Sequence, residues 1–480
     1  MKNYSQALSE DERSQVHEQT LRILARTGVT VETSQGRRIL KEAGAEVDEN
    51  SGRVRFPRAL VEASLRQATK DFTLGARRPN WDFPMNKGEC RLTVSGQGTQ
   101  AIDRQTGEYR NSLFSDVMDA TRLADALDDI GSFGGMVTAT DRDRSTLTNY
   151  IDHLLHLFRN FSKHISCGVS RKEQTPWLFE VLQVVFGDKE TIRKKKPISC
   201  TVCPQSPLMI DDTYTDAYLT LKGWGIPVVV MPMPIMGATA PASLISTVVI
   251  ANCEVVAMLC LLQAAEPGVP VIYAPVSSLM DPRTGLLMSG AAERGLLSAA
   301  AIEMARFYGL PAETCGASTS QYTPGIQAAY ERALNTMTPM LSGPDILAAA
   351  GLLGSAMILS LEQMLMDSEV FRLCKRAHQG ISSGTDMWLE EVIEQVGPGG
   401  HFMDQPSTLK AVRGDEWYIS NFGVHCSFED WDASGRRELF NEAREEVDRI
   451  LRTHQSLPLD EDRERELERI QKKAQETEGF

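Results

Sequence analysis

A chain of 480 residues with a formal net charge of -14 can bury a large core, with room for a barrel of about 250 residues plus appended elements. Its lysines and arginines are scattered along an acidic sequence, which excludes a phosphate-backbone binder of nucleic acid. The cysteines at 90, 167, 200, 203, 253, 260, 315, 374 and 426 lie mostly in apolar segments without a paired framework, as expected in a reduced compartment.

The opening M-K-N-Y-S-Q-A-L-S-E-D-E-R-S-Q lacks the apolar core of a signal peptide, so a cytoplasmic protein is expected. A capping-box pattern at Ser9 and Glu12 opens a helix over 9 to 27, and Gly28 closes it. A second helix is predicted from Gln35 to Ala43 and a third after Pro57. These make an N-terminal helical cap to about residue 75, followed by an irregular crossover from Gly75 to Glu89 that carries Trp81 and Phe83.

A rhythm then sets in. Strand-like runs occur at Cys90 to Ser95, Ile130 to Thr138, His164 to Ser170, Pro197 to Cys203, Pro227 to Met233, Pro270 to Val276, Ala312 to Gly316 and Ile346 to Gly351. Helical patterns alternate with them at Ser115 to Leu127, Thr146 to Arg159, Thr175 to Phe186, Asp212 to Trp224, Ser243 to Ala265, Ala291 to Tyr308, Ile326 to Leu341 and Leu359 to Lys375. Eight strand-helix units predict a (β/α)8 TIM-type barrel. No G-x-G-x-x-G follows any strand, which disfavours a doubly wound dinucleotide fold. Only Ala242 to Ala265 imitates a membrane span, and Asn252 and Glu254 near its middle favour a buried helix.

Beyond the barrel, Val396 to Trp417 holds too many breakers for a regular element. Ser434 to His454 is helical, and the charged tail from Asp460 reads as a solvated helix. The expected organisation is a cap and crossover over 1–89, a catalytic barrel over 90–375, and a loop-rich segment with a C-terminal helical extension over 376–480. The densest set of small hydroxyl and amide side chains lies after the seventh strand, in Pro311 to Glu331. A polar loop at the carboxyl end of a barrel strand is where such folds keep their chemistry.

Several ordered motifs then carry a resemblance: I-A-N-C-E-V-V-A-M-L-C-L-L-Q at 250 to 263, P-G-V-P-V-I-Y at 267 to 273, M-D-P-R-T-G at 280 to 285, Q-A-A-Y-E at 327 to 331, S-L-E-Q-M-L-M-D-S-E at 360 to 369 and V-G-P-G-G-H-F at 396 to 402. From roughly Arg91 to Leu451 the chain resembles the trimethylamine methyltransferase family of corrinoid-dependent enzymes. Founding members carry pyrrolysine in the strand-seven loop. Here that loop is T-S-Q-Y-T-P, with Thr319, Ser320 and Gln321 as candidates for the replaced position. After His401, the family's histidine-threonine pair stands as Ser407-Thr408. The resemblance is to the non-pyrrolysine branch and implies demethylation of a quaternary amine, foremost glycine betaine. The methyl would pass to a corrinoid (cobalamin) carried by a partner protein, with no cofactor or metal held by this chain.

The chemistry of such a substrate sets what the site must offer. A quaternary ammonium has no N–H to donate, so aromatic faces and carboxylates must hold it. Phe133, Tyr273, Tyr322 and Phe402, with Trp417, are the aromatic candidates, and each is alternatively a core residue. Glu254 and Glu293 are candidate carboxylates, or else helix-cap and surface residues. A betaine's own carboxylate needs a donor. Arg283 and His401 are first choices, with a loop-stabilising ion pair as the alternative for Arg283. Ser318, Thr319, Ser320 and Gln321 would line the site as catalytic candidates together with Glu254, and Gln97 and Gln205 are weaker binding candidates. Cys200 and Cys203 form a C-x-x-C, but residues three apart on a strand face opposite ways and cannot easily share a metal. Rival readings are demethylation of proline betaine or carnitine, a non-catalytic betaine-binding barrel, and a metal-dependent barrel enzyme. Association between copies is also expected.

Overall fold

The computed structural model describes residues 6–143, 146–420 and 422–478; residues 1–5 of the opening segment lie outside them. Eight parallel strands form one sheet: Arg91–Val94, Ile130–Phe133, His164–Ser166, Ile198–Val202, Val228–Val230, Val271–Tyr273, Glu313–Cys315 and Ile346–Ala348. Each lies within a run predicted from sequence. The first strand pairs with the second and the eighth, and successive strands are otherwise neighbours. Between the sixth and seventh strands, a bridge from Tyr273 to Ala312 and the bond from Tyr273 N to Pro311 O at 2.9 Å nearly close the barrel.

The fifth, sixth and eighth strands read as continuous apolar runs because both faces are covered, whereas the third, fourth and seventh carry polar residues. The inner face holds Val229, Ile272, Ala274 and Ile346, which pack with Leu74 just before the crossover and with Phe83 and Met85 within it. That crossover therefore plugs the amino-terminal end of the barrel. Its fit is close: a Cβ on Gly75 would stand 2.2 Å from the Lys195 carbonyl oxygen. His164 lies at the same level. Its Nδ1 is 3.0 Å from the Gly75 carbonyl, so it must be the protonated nitrogen, and its Nε2 accepts from the Ser199 hydroxyl at 3.0 Å. Burial lowers the His164 pKa from 6.5 to about 4.

This sets a pH dependence. The unfolded chain binds a proton between those two values and the folded chain does not, so the stability is full above about pH 6.5 and falls as pH drops towards 4. The limit for His164 is roughly 3 kcal/mol. His164→Gln should flatten this acid limb in denaturant titrations at a series of pH values; an unchanged slope would show that another group sets it.

The helix Leu244–Ala265 is wholly apolar on most sides, and it is a core helix: Asn252 and Glu254 are fully buried. The cap helices Glu10–Arg26, Ser34–Glu42 and Arg58–Gln67 cover it. The predicted capping box at Ser9 and Glu12 is present. Asn252 donates to Thr20 and Tyr308 and accepts from the Tyr273 hydroxyl, tying cap to barrel. The cap is not purely helical. Val29–Val31, Glu46–Asp48 and Arg53–Arg55 form a small sheet, extended by Met209–Ile210 from the barrel.

Two C-terminal expectations are corrected. Pro406–Arg413 is a helix within the stretch read as irregular, since proline is well placed in a first helical turn. The tail helix Glu461–Glu478 is not merely solvated. Leu467, Ile470 and Ala474 are fully buried on one stripe against the helices Leu147–Asn160 and Thr175–Phe186.

Candidate active site

Strand register identifies which side chains enter the barrel. Directly paired residues of adjacent strands share a face and successive residues alternate. Glu313 pairs with Ile346 and Thr201 pairs with Val229, both partners belonging to the inner cluster. Glu313 and Thr201 therefore point inward. Thr201 is exposed although Cys200 and Val202 beside it are buried, so the interior opens to solvent above the plug. Met231, two residues on from Val229, is half-buried, and Met233 beyond it is 48% exposed. Gly134 and Gly168 are exposed at the ends of the second and third strands, and nothing lies within 4 Å of a Cβ placed at Gly168. The mouth is thus open and lined by small or flexible side chains.

Glu313 is the chemically conspicuous group in this cavity. It is 6% exposed and forms no hydrogen bond or ion pair among the described residues. Burial alone raises its pKa to about 7. Its charge is felt at Cys203, whose thiol is pushed up to about 11 by burial first, then by Asp211 and Glu313. The carboxyl therefore faces across the interior towards the end of the fourth strand.

The seventh-strand loop is held from behind by two acid-centred networks. Glu331 accepts from the Thr319 hydroxyl at 2.5 Å, the Ser320 amide at 2.9 Å and the Gln327 side chain at 2.9 Å. Gln321 donates to Gln327, and its own amide is bonded to Thr319. Deeper, Arg332 and Asp367 form a fully buried ion pair at 2.5 Å. Arg332 also donates to the carbonyls of Ala317 and Leu352, while Asp367 accepts from the Gly351 amide and Gln363. The pair joins the loops after the seventh and eighth strands. Ser318 is 5% exposed, and its hydroxyl is buried without a partner.

The structure distributes the remaining predicted site residues widely. Gln97 and Gln205 are exposed in the loops after the first and fourth strands, at the carboxyl-terminal end where the mouth opens. Glu254 lies in the helix layer: both oxygens are occupied, by the Leu208 amide and the Ser206 hydroxyl, each at 2.8 Å. Burial raises its pKa to about 7 despite those bonds. Tyr273 and Phe133 are buried in the outer core behind the strands, Tyr273 on Asn252 and Phe133 against Phe161. Tyr322 is exposed beside Gly354. Arg283 is 81% exposed and doubly bonded to Asp281 in its own turn, the ion-pair alternative. Glu293 is exposed in the first turn of its helix. His401 and Phe402 are exposed on the segment beyond the barrel. The aromatic candidates are therefore not gathered into one cage. The groups sequence reasoning missed are Glu313, Thr201, Met231 and Met233, for which the available signal was a lone acid in an otherwise buried strand. Among the described residues no cluster of three or more His, Cys, Asp or Glu side chains has the arrangement of a metal site.

The family model for trimethylamine methyltransferase (MTTB) matches residues 2–478. The chain belongs to this family. Similar proteins include the trimethylamine methyltransferase MttB of Methanosarcina barkeri strain Fusaro, 31% identical over 97% of this chain and 94% of that one. The MttB of Desulfitobacterium hafniense strain DSM 10664 is 30% identical over 94% of this chain and 90% of its own length. A glycine betaine methyltransferase of Desulfitobacterium hafniense strain Y51 is also 30% identical, over 88% of both chains. Among solved structures, the monomethylamine methyltransferase MtmB of Methanosarcina barkeri is similar in fold, with a TM-score of 0.50, 12% identity, and coverage of 94% of this chain and 89% of that one. The chain is accordingly a methyltransferase of the MTTB family built on a nearly closed eight-stranded barrel.

Proposed function

We propose that this methyltransferase takes a methyl group from a quaternary amine, foremost glycine betaine, delivers it to the Co(I) corrinoid of a partner protein, and releases dimethylglycine. The observation that carries this reading is the unpartnered carboxyl of Glu313 inside an open barrel mouth. A cation without N–H bonds requires a charge partner and gains nothing from a hydrogen-bond acceptor as such. The strand-seven loop T-S-Q-Y-T-P consists of ordinary residues, and the similarity to a glycine betaine methyltransferase adds support.

In this reading Glu313 faces the ammonium, while Met231 and Met233 supply polarisable contact around its methyl groups. Thr201 lines the polar side, as does Ser166, whose paired residue Ser199 lies on the same face of the fourth strand as Thr201. The corrinoid, carried by its partner, supplies the nucleophile that accepts the methyl group. The corrinoid domain would dock over the rim, where the exposed Gly134 and Gly168 present no side chains. The chain's own contribution is to hold the cation, strip it of water and aim one methyl outward. Breaking the N–CH3 bond leaves the electron pair on nitrogen, so the departing amine is neutral and its attraction to Glu313 falls.

The test is the absorbance change of a Co(I) corrinoid carrier on methylation, with glycine betaine and trimethylamine supplied separately. Betaine should drive it and trimethylamine should not. Demethylation of proline betaine or carnitine in place of glycine betaine would reassign the substrate within the class. Silence with every quaternary amine, beside a working corrinoid control, would favour a non-catalytic betaine-binding barrel.

Association between copies is proposed on separate grounds. Among the described residues of the segment 376–438 none is buried, yet Ile381, Trp388, Met403, Trp417 and Phe428 are exposed. The helix Ile326–Met340 likewise shows solvent an apolar stripe at Ile326, Tyr330 and Leu334. One chain thus carries two uncovered apolar surfaces, which two copies can cover mutually. Light scattering should give a mass at least twice that of one chain, and Ile326→Glu with Tyr330→Glu should reduce it; a monomeric wild type would refute the proposal.

A further inference from the structure

Two arginines are buried among the described residues, Arg332 and Arg294, and only Arg332 has a carboxylate partner. Arg332 is bonded to Asp367, as the half-buried Arg306 is to Asp345 at 2.8 Å. Arg294, in the first turn of the helix Ala292–Tyr308, is 6% exposed and has no carboxylate in ion-pair range among the described residues. Its Nη1 donates to the hydroxyls of Ser278 at 3.1 Å and Ser289 at 3.0 Å. Its Nε is buried without a partner, and its Nη2 makes no hydrogen bond among the described residues. Serine hydroxyls do not neutralise a guanidinium. Leaving one buried and unpaired costs several kcal/mol unless an anion completes it.

The surroundings show where that anion would sit. Ser278 belongs to the short strand Ser278–Leu279, which pairs with Ile235–Met236 above the carboxyl ends of the fifth and sixth strands. Ser298, one turn along the helix from Arg294, donates to the carbonyl of Cys315 at the end of the seventh strand. Arg294 therefore lies at the level of the mouth, between the rim after strand six and the loop after strand seven. That loop contributes the second orphan, the buried Ser318 hydroxyl. Glu331, the carboxylate that reaches the same rim at Gly290, has its oxygens occupied by Thr319, Ser320 and Gln327.

We propose that Arg294, assisted by Ser318, is the subsite for the carboxylate of a zwitterionic quaternary amine, and that it separates betaine-type substrates from quaternary amines without an acid group. This inference rests on the quaternary-amine reading. It gives the two ends of a betaine separate partners, Glu313 for the cation and Arg294 for the acid. A guanidinium with free Nε and Nη2 presents the two parallel donors that a carboxylate accepts.

Calorimetric titration of the purified full chain with glycine betaine, tetramethylammonium and acetate tests it without the corrinoid partner. Wild type should bind betaine more tightly than tetramethylammonium. Arg294→Gln should weaken betaine about 100-fold and leave tetramethylammonium within about twofold, while Arg294→Lys recovers part of the loss. Acetate should compete with betaine on wild type. Ser318→Ala, which removes a hydroxyl bonded to nothing, should fold normally and weaken betaine several-fold, so the idea stays testable even if Arg294→Gln does not fold. Equal losses for betaine and tetramethylammonium, or no loss of betaine affinity in a folded variant, would overturn the Arg294 assignment and leave the quaternary-amine reading standing. Acetate binding that depends on Arg294, without binding of any quaternary amine, would support the anion subsite and overturn the functional reading.

Discussion

Glu313→Gln is expected to raise the KM for a quaternary amine about 30- to 100-fold while changing kcat little. The substitution keeps shape and removes the charge. A carboxylate beside a cation stabilises the bound ground state at least as much as the transition state, in which the cation's charge is being dispersed, so its loss raises KM and does not lower kcat. The same group predicts a pH dependence. With Glu313 raised to about 7 by burial, the free protein is largely protonated there below pH 7 and ionised above it. A bound cation favours ionisation. Affinity should therefore fall as pH drops below about 7, by up to tenfold per unit, and be nearly flat above it. Below that pH, binding should release a proton, detectable as a buffer-dependent heat. Glu313→Gln should abolish both the slope and the proton release. A variant with wild-type KM and an unchanged pH profile would remove Glu313 from the site.

The second large effect is on the fold around that site. Asp367→Asn should destabilise the chain by about 3–5 kcal/mol, because Arg332 would be left charged and fully buried without its partner. Replacing both members by apolar residues of similar volume should cost much less than either single change. The exposed pair of Arg436 with Asp432 is the control, and Asp432→Asn should cost at most about 1 kcal/mol. Denaturant midpoints for these variants test the ranking. Equal costs for the two pairs would mean that burial does not set their energetics. Asp367→Asn should also loosen the loops at Ala317 and Leu352 and so weaken activity before the chain unfolds.

The barrel was legible in the sequence because strand and helix periods alternate from residue 90 onward, and because most of the helices end near a glycine or proline. What remained hidden was the direction of strand side chains. In the fifth, sixth and eighth strands apolar groups cover both faces, so no alternation of polarity marks the inside there. Tyr273 and Ile272 look equally suitable as lining residues, and only register shows that Ile272 faces in while Tyr273 bonds Asn252 behind the strand. Glu313 was visible as a lone acid in P-A-E-T-C-G, but the hydroxyl-rich loop after it carried the stronger local signal. That loop is wired to Glu331 at its back. Similarly, Glu293 stood out as a carboxylate, whereas its neighbour Arg294 is the side chain that the rim buries. In the tail, dense charge masked the stripe of Leu467, Ile470 and Ala474, whose spacing is helical and whose cover comes from helices some 300 positions earlier.

The measurement that bears most directly on the central claim is product stoichiometry with betaine carrying deuterated methyl groups. Purified chain, a Co(I) corrinoid carrier and labelled betaine are mixed, and dimethylglycine and methylated corrinoid are quantified together by mass spectrometry. One dimethylglycine should appear for each labelled methyl found on the corrinoid, and Glu313→Gln should form both about 30- to 100-fold more slowly at the same low substrate concentration. Methylated corrinoid formed from trimethylamine but not from any quaternary amine would contradict the account.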